Sequence, residues 1–268
     1  METKKNRSTF SGKVGFVLAA AGSAVGLGNL WRFPYLAAKY GGGIFLFVYI
    51  VLAVTFGFTL MATEIAIGRK TRLSPMAAFG ALNKKWSWMG KLVTLVPVLI
   101  LPYYCVIGGW VTKYTATMIS GAVQDAAGDN YFSTFISGTG EPLLWFLLFM
   151  TATAVIVFLG VEKGIEKFSR VLMPALLILT VLLSIFVVSR PGAGAGVAYY
   201  LKPDFSKLSM MTVLAALGQL FFSMSLAMGI MITYGSYLRK QDHIEQSVRQ
   251  IEVFDTLVAF LAGLMIVP

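Results

Sequence analysis

Gly22-Ser23-Ala24-Val25-Gly26-Leu27-Gly28-Asn29-Leu30-Trp31-Arg32-Phe33-Pro34 interrupts an otherwise apolar segment with three glycines, an asparagine, an arginine and a proline. In hydrocarbon a backbone group without a hydrogen-bond partner costs several kcal/mol. An unwound stretch therefore persists only where protein, ions or a ligand take up the freed N–H and C=O groups. A break inside a membrane-spanning segment predicts a binding site.

The surrounding chain is that of a membrane protein. Hydrophobic residues make up 57% of the 268 and charged residues 13%, outside the usual balance of a soluble domain. A spanning helix needs about 20 apolar residues. Seven stretches qualify, near 13–38, 44–68, 92–120, 143–160, 168–189, 210–237 and 253–268. The first is no cleavable signal peptide, since it is long, lacks a small-residue cleavage site and carries Trp31, Arg32 and Pro34 near its end.

The formal charge of +10 is distributed as an address. With the N-terminus in the cytoplasm, sixteen lysines and arginines fall on inside segments and five on outside ones, and Arg32 lies within the first span. That bias sets the orientation and makes nucleic acid a poor second explanation. Cys105 is the only cysteine and His243 the only histidine, so neither an intrachain disulfide nor a Cys/His metal cluster is expected.

The loop 69–91 holds a short interfacial helix candidate, because Ser74-Pro75 places a capping residue before a first-turn proline. The connection 121–142, with Asp125, Asp129, Glu141 and several glycines, suits a mobile external loop. Gly164 and Pro174 allow the fifth span to lose a turn, with a tolerated proline kink as the alternative. The sequence stops at Pro268 without a polar tail, which reads as a fragment of a longer protein.

The sixth segment, Gly218 to Ile230, also places small and hydroxylated residues in its middle. Interruptions in the first and sixth spans match an inverted repeat in which each half gives one discontinuous helix to a midplane site. On that pattern 13–189 is one five-helix repeat and 210–268 begins the next, within a single transmembrane domain 1–268.

The motif from Gly22 to Tyr35 with Gly41-Gly42-Gly43 resembles the first-helix signature of the neurotransmitter:sodium symporter family, in its bacterial amino-acid branch. Glu64 with Gly68-Arg69, Tyr103-Tyr104, Lys163-Gly164-Ile165-Glu166, Gln219 to Ser225, and Thr233-Tyr234 with Ser236-Tyr237 extend the resemblance in register over the chain. It implies an all-α membrane protein with the leucine-transporter-like inverted-repeat fold. Only the first seven of about twelve spans are present, with helices 1 and 6 broken at mid-membrane. The implied activity is sodium-coupled symport of an amino acid by alternating access, with no enzymatic step.

A half-helix N-terminus presents free N–H groups and partial positive charge, so Leu27 and Gly28 are the expected donors to a substrate carboxylate. The resemblance adds the Tyr104 hydroxyl, for which an ordinary interhelical bond is the alternative. Monoamine carriers of the family are expected to hold an aspartate where this chain has Gly26, so glycine favours an α-amino acid. Gly22 and Gly26 also fit a GxxxG packing face. The substrate wall implied by similarity includes Ser23, Ala24, Ile100, Phe222, Ser223, Ser225, Ala227 and Met228. Ile100, Phe222 and Met228 make the expected guest neutral and hydrophobic or aromatic. Ala227 departs from a glycine common in amino-acid carriers, which shrinks the pocket or stiffens the break.

By similarity one sodium ion takes the Ala24 carbonyl, Asn29, Ser223, Asp255 and the substrate carboxylate. A second takes the Gly22 and Val25 carbonyls and ligands on an eighth helix beyond this sequence. Asp255 in an apolar span needs a partner, since an unpaired charge there costs about 2.5 to 3.5 kcal/mol on insertion scales. Many animal relatives have asparagine here and use chloride, so chloride is not expected to be required. A helix-end aspartate exposed to the cytoplasm is the alternative.

Arg32 resembles an external gate residue with Gln219 nearby, or else snorkels to the surface. Arg7 and Phe10 resemble a cytoplasmic latch, with Tyr237 accepting part of it. Glu64 reads as structural, satisfying backbone freed at the breaks. Sodium is the expected ion, with no organic cofactor. The expected partners are an amino acid and the lipid bilayer of the cell (inner, if bacterial) membrane, without nucleic acid, and a homodimer is left open. The rivals are a non-transporting fragment or assembly partner and, from helix count alone, a seven-helix receptor.

Overall fold

A computed structural model describes residues 10, 12–239 and 241–268. Its contacts divide the chain into two compact units, residues 1–93 with 161–268, and residues 94–160.

The first unit holds both interruptions. Helix α1 (Lys13–Ala24) ends where Val25 turns extended. A π-helical turn, Gly28–Arg32, then feeds directly into α2 (Phe33–Lys39), with Pro34 close to their junction. The two halves are bent by 48°. Helix α3 (Gly43–Leu52) passes through a second π turn, Ala53–Gly57, into α4 (Phe58–Thr71). The short helix α5 (Pro75–Leu82) forms where Ser74-Pro75 placed it, though the Ser74 side chain makes no cap bond. A third π turn, Val161–Glu166, runs into α10 (Lys167–Val188), which contains Pro174. The backbone widens around Gly164 and the helix continues through Pro174, the tolerated proline that the sequence left as the alternative.

Helix α11 (Ala193–Leu201) precedes α12 (Met210–Ser223), which stops at the second interruption before α13 (Ile230–Tyr237). The last helix, α14 (Ile244–Ile266), starts nine residues before the expected 253, since its polar first turns continue the backbone ladder. His243 is exposed at its N-cap. Among the described residues, four helices are long and apolar enough to cross a membrane, and the bent pair α1–α2 makes a fifth.

Lipid tails are as apolar as leucine, so helices in a membrane associate through close packing rather than by escaping water. The crossing of α4 and α13 shows how. A Cβ on Gly68 would run into the Ile232 carbonyl, and one on Gly235 into the Ile65 carbonyl. Phe33, Phe45, Tyr49, Met61, Leu220, Met224 and Ile251 form one continuous buried cluster where the first, second, sixth and seventh spans meet.

In the second unit, the remainder of α6 (Ser87–Ile119) packs Gly109 against the backbone of Trp145 and Phe146 in α9 (Gly140–Phe158). The segment 121–142, expected as a mobile external loop, holds two short helices, α7 (Val123–Ala126) and α8 (Tyr131–Ser137). Tyr131 ties α8 down through Thr117 at 2.9 Å, beside a Lys113–Glu141 ion pair.

Candidate ion and substrate site between two broken helices

Four spans of the first unit place one polar side chain each on a single point. Asp255, in the middle of α14, is fully buried, as are Asn29 and Tyr49, and Ser223 is 1% exposed. Asn29 Nδ2 donates to the Asp255 carboxylate at 2.8 Å and to its backbone carbonyl at 3.0 Å. Ser223 Oγ donates to the two carboxylate oxygens at 2.9 and 3.1 Å, and Tyr49 Oη to one of them at 2.9 Å. The Asn29 side-chain oxygen accepts from the Gly26 N–H at 3.1 Å, so the interruption folds back on its own asparagine. Asp255 is therefore no helix-end residue. Burial of its charge is offset by three donors, the condition under which an intramembrane carboxylate persists.

Tyr49 was not foreseen as part of this cluster. The signal was its hydroxyl, alone in the apolar run Phe45 to Val54, since a buried tyrosine hydroxyl usually finds a partner.

The restarted half of the first helix leaves its leading amides outside its own ladder. The first backbone bonds after the interruption are donated by Asn29 and Leu30, both to the Gly26 carbonyl at 3.1 Å. Leu27 and Gly28, the expected carboxylate donors, precede them. A Cβ on Gly26 meets no atom within 4 Å, whereas one on Gly28 would press on the Phe222 ring at 3.1 Å. A Cβ on Gly22 would meet Ser169 and Met173 of α10, and the Val25 side chain packs in the cluster that holds Met173.

The second interruption has an unusual backbone. Ser225 and Ala227 sit at φ 54° and 58°, beside Gly229 at 71°. Side chains with a Cβ are disfavoured there by roughly 1–2 kcal/mol per residue. Two contacts hold the strain: the Ala227 N–H donates to Glu64 Oε1 at 2.6 Å, and Ser225 Oγ donates to the Ser23 carbonyl at 3.2 Å, joining one interruption to the other. Glu64 thus satisfies backbone freed at a break. Ala227 is exposed and Met228 half-buried. Ala227→Gly is expected to raise the melting temperature in detergent and Ala227→Val to lower it. The opposite order would mean that side-chain packing, not backbone strain, decides stability at this position.

Arg32 Nη1 donates to the Gly218 carbonyl at 3.2 Å with its guanidinium 4.8 Å from the Phe222 ring centre, and Gln219 Nε2 donates to the Gly28 carbonyl at 2.8 Å. Arg32 is thus held against α12 rather than snorkelling. Phe10, 1% exposed, stacks on Tyr234 and meets Tyr237 edge-on with centroids 6.4 Å apart. Arg7 lies outside the described residues. Ile100 and Tyr104 belong to the second unit, on α6, where Tyr104 packs edge-on to Tyr103. A groove of about 1110 Å³ runs between α4 and the start of α14, past Thr63, Arg69 and Arg249, and none of the residues at the two interruptions line it.

Two interrupted helices clasped through a buried carboxylate on a third, among long apolar helices, define an integral membrane protein of the broken-helix type. Residues 7–135 and 130–268 match the Sodium:neurotransmitter symporter family (SNF), and the chain belongs to that family. It is 37% identical over 264 residues to an uncharacterized sodium-dependent transporter, YhdH, of Bacillus subtilis (strain 168), covering 97% of this chain and 58% of that protein. The sodium-dependent neutral amino acid transporter B(0)AT1 of Mus musculus is 28% identical, over 99% of this chain and 46% of its own length. The crystal structure of MhsT in complex with L-phenylalanine superposes with a TM-score of 0.91 at 39% identity, covering 98% of this chain and 61% of that one. The chain thus spans about three-fifths of its bacterial relative and of MhsT.

Proposed function

We propose that this chain builds the core of a sodium-coupled symporter for a neutral, hydrophobic or aromatic amino acid, working by alternating access with its N-terminus in the cytoplasm. The observation that carries the reading is the convergence of Asn29, Ser223 and Tyr49 on Asp255. Sodium prefers hard oxygen donors. Asp255, Ser223, the Asn29 side-chain oxygen and the Ala24 carbonyl supply such a set where both interruptions meet α14. The amides of Leu27 and Gly28 beside open space at Gly26 suit an α-carboxylate, and Phe222 and Met228 suit an apolar side chain. Sodium and substrate then reinforce one another reciprocally, because each completes the surroundings of the other. Asp255 supplies fixed negative charge, so chloride is dispensable. Residues 13–189 and 210–268 act as one repeat and the start of its inverted partner.

In proteoliposomes, an inward sodium gradient is expected to drive accumulation of labelled phenylalanine or leucine, and choline in place of sodium to abolish it. Uptake indifferent to sodium would defeat the proposal. A second reading, a non-transporting part of a larger carrier, is favoured by the three-fifths coverage. Binding of sodium and amino acid without any accumulation would select it.

A further inference from the structure

We infer that Tyr199 and Tyr200 of α11 form a clasp that positions the restarted first helix on α14 and so holds Asn29 against Asp255. This inference rests on the proposed sodium site. The two adjacent tyrosines grip different helices. Tyr199 Oη donates to the Ala38 carbonyl at 2.8 Å, one of the last-turn carbonyls of α2 that have no partner within their own helix. Its ring also lies flush on the turn between α2 and α3: a Cβ on Gly42, at φ +59°, would come within 2.7 Å of it, and one on Gly43 would meet the Lys202 carbonyl group.

Tyr200 turns the other way. It is fully buried, donates to the Phe260 carbonyl of α14 at 3.1 Å, and its ring occupies the space a Cβ on Gly263 would need. The next carbonyl, Leu261, accepts from Ser184 Oγ of α10 at 2.8 Å, so this turn of α14 is held from two helices at once.

Ala38 lies nine residues beyond Asn29, and Phe260 five beyond Asp255, about 13 and 8 Å along their helices. The same two helices are therefore joined at two levels, by Asn29–Asp255 in the middle and through α11 at one end. The restarted first helix and α14 also pack directly, and the bridge through α11 adds a restraint on their crossing away from Asn29–Asp255. This gives Gly41-Gly42-Gly43 a purpose the ion and substrate site does not: it brings the α2–α3 turn close enough for α11 to seat on it.

The test removes hydroxyls only. Tyr200→Phe and the double variant with Tyr199→Phe keep both rings in place. Spin labels at Lys39→Cys and Ile266→Cys, with Cys105→Ser, report the separation of the two helix ends. The clasp predicts a broader distance distribution in both variants. It also predicts a half-saturating sodium concentration for uptake raised about three- to tenfold, the worth of a hydrogen bond or two, with maximal uptake within about twofold. An unchanged distribution in the double variant would overturn the clasp. Broadening with an unaltered sodium requirement would overturn its positioning role. Sodium-indifferent uptake by the unmodified protein would instead sink the functional reading, and the label distances would still decide whether the clasp exists.

Discussion

Replacing Asp255 with alanine is expected to abolish the proposed sodium-driven uptake and to lower stability by roughly 2–5 kcal/mol. The chemistry follows from what stays behind. Ser223 and Tyr49 lose their acceptor in a buried place and Asn29 keeps only the backbone carbonyl of residue 255, and an unsatisfied buried donor costs about 1–3 kcal/mol. Thermal unfolding in detergent should show the loss directly. Asp255→Asn separates charge from shape. It preserves volume and one acceptor oxygen, so stability falls less, while the fixed negative charge disappears. Uptake by that variant is expected to become dependent on chloride. Uptake that stays undiminished without chloride would show that the charge of Asp255 does not stand in for an anion.

Gly68→Ala is the second change with a large effect, through packing rather than charge. The added methyl would meet the Ile232 carbonyl and, at 2.9 Å, the Ser236 nitrogen. These are backbone atoms of α13, and no rotamer change moves them aside. The helices must separate, and overpacking of this kind costs about 1–3 kcal/mol, occasionally more. Because Gly235 presses on the Ile65 backbone at the same crossing, Gly235→Ala should do similar damage. The two together should cost less than the sum, since one separation relieves both clashes. Gly194→Ala serves as the control: nothing lies within 4 Å of a Cβ there, and alanine in α11 is neutral or stabilising by up to about 1 kcal/mol. A melting temperature for Gly68→Ala equal to that of Gly194→Ala would refute the close crossing.

The first interruption was legible in sequence because glycine, asparagine and proline are conspicuous among leucines. Asp255 was legible because a carboxylate in an apolar span requires partners. Glu64 followed by the same logic, and it reaches the backbone of the second interruption. What escaped reading was of another kind. Tyr49 is an unremarkable residue in an aromatic-rich span until its hydroxyl is placed in space. The left-handed backbone at Ser225 and Ala227 contradicts the local preference of both residues and is imposed by neighbours. The early start of α14 was hidden because hydropathy marks where lipid begins, whereas a helix continues wherever its hydrogen bonds do. The two short helices within the connection 121–142 were hidden among its glycines and acids.

The π turns at Gly28–Arg32, Ala53–Gly57 and Val161–Glu166 each hold one residue more than an α-helical ladder would. Such a turn is an insertion absorbed inside a helix, with no loop to mark it. Deleting one residue from Ala53–Gly57 would let the stretch close as ordinary α-helix, its faster winding of about 100° per residue making up for the lost residue, so that Glu64 and Gly68 keep nearly their present faces. The π turns therefore uncouple length from phase: a span carries one residue more and still shows its partners the same face.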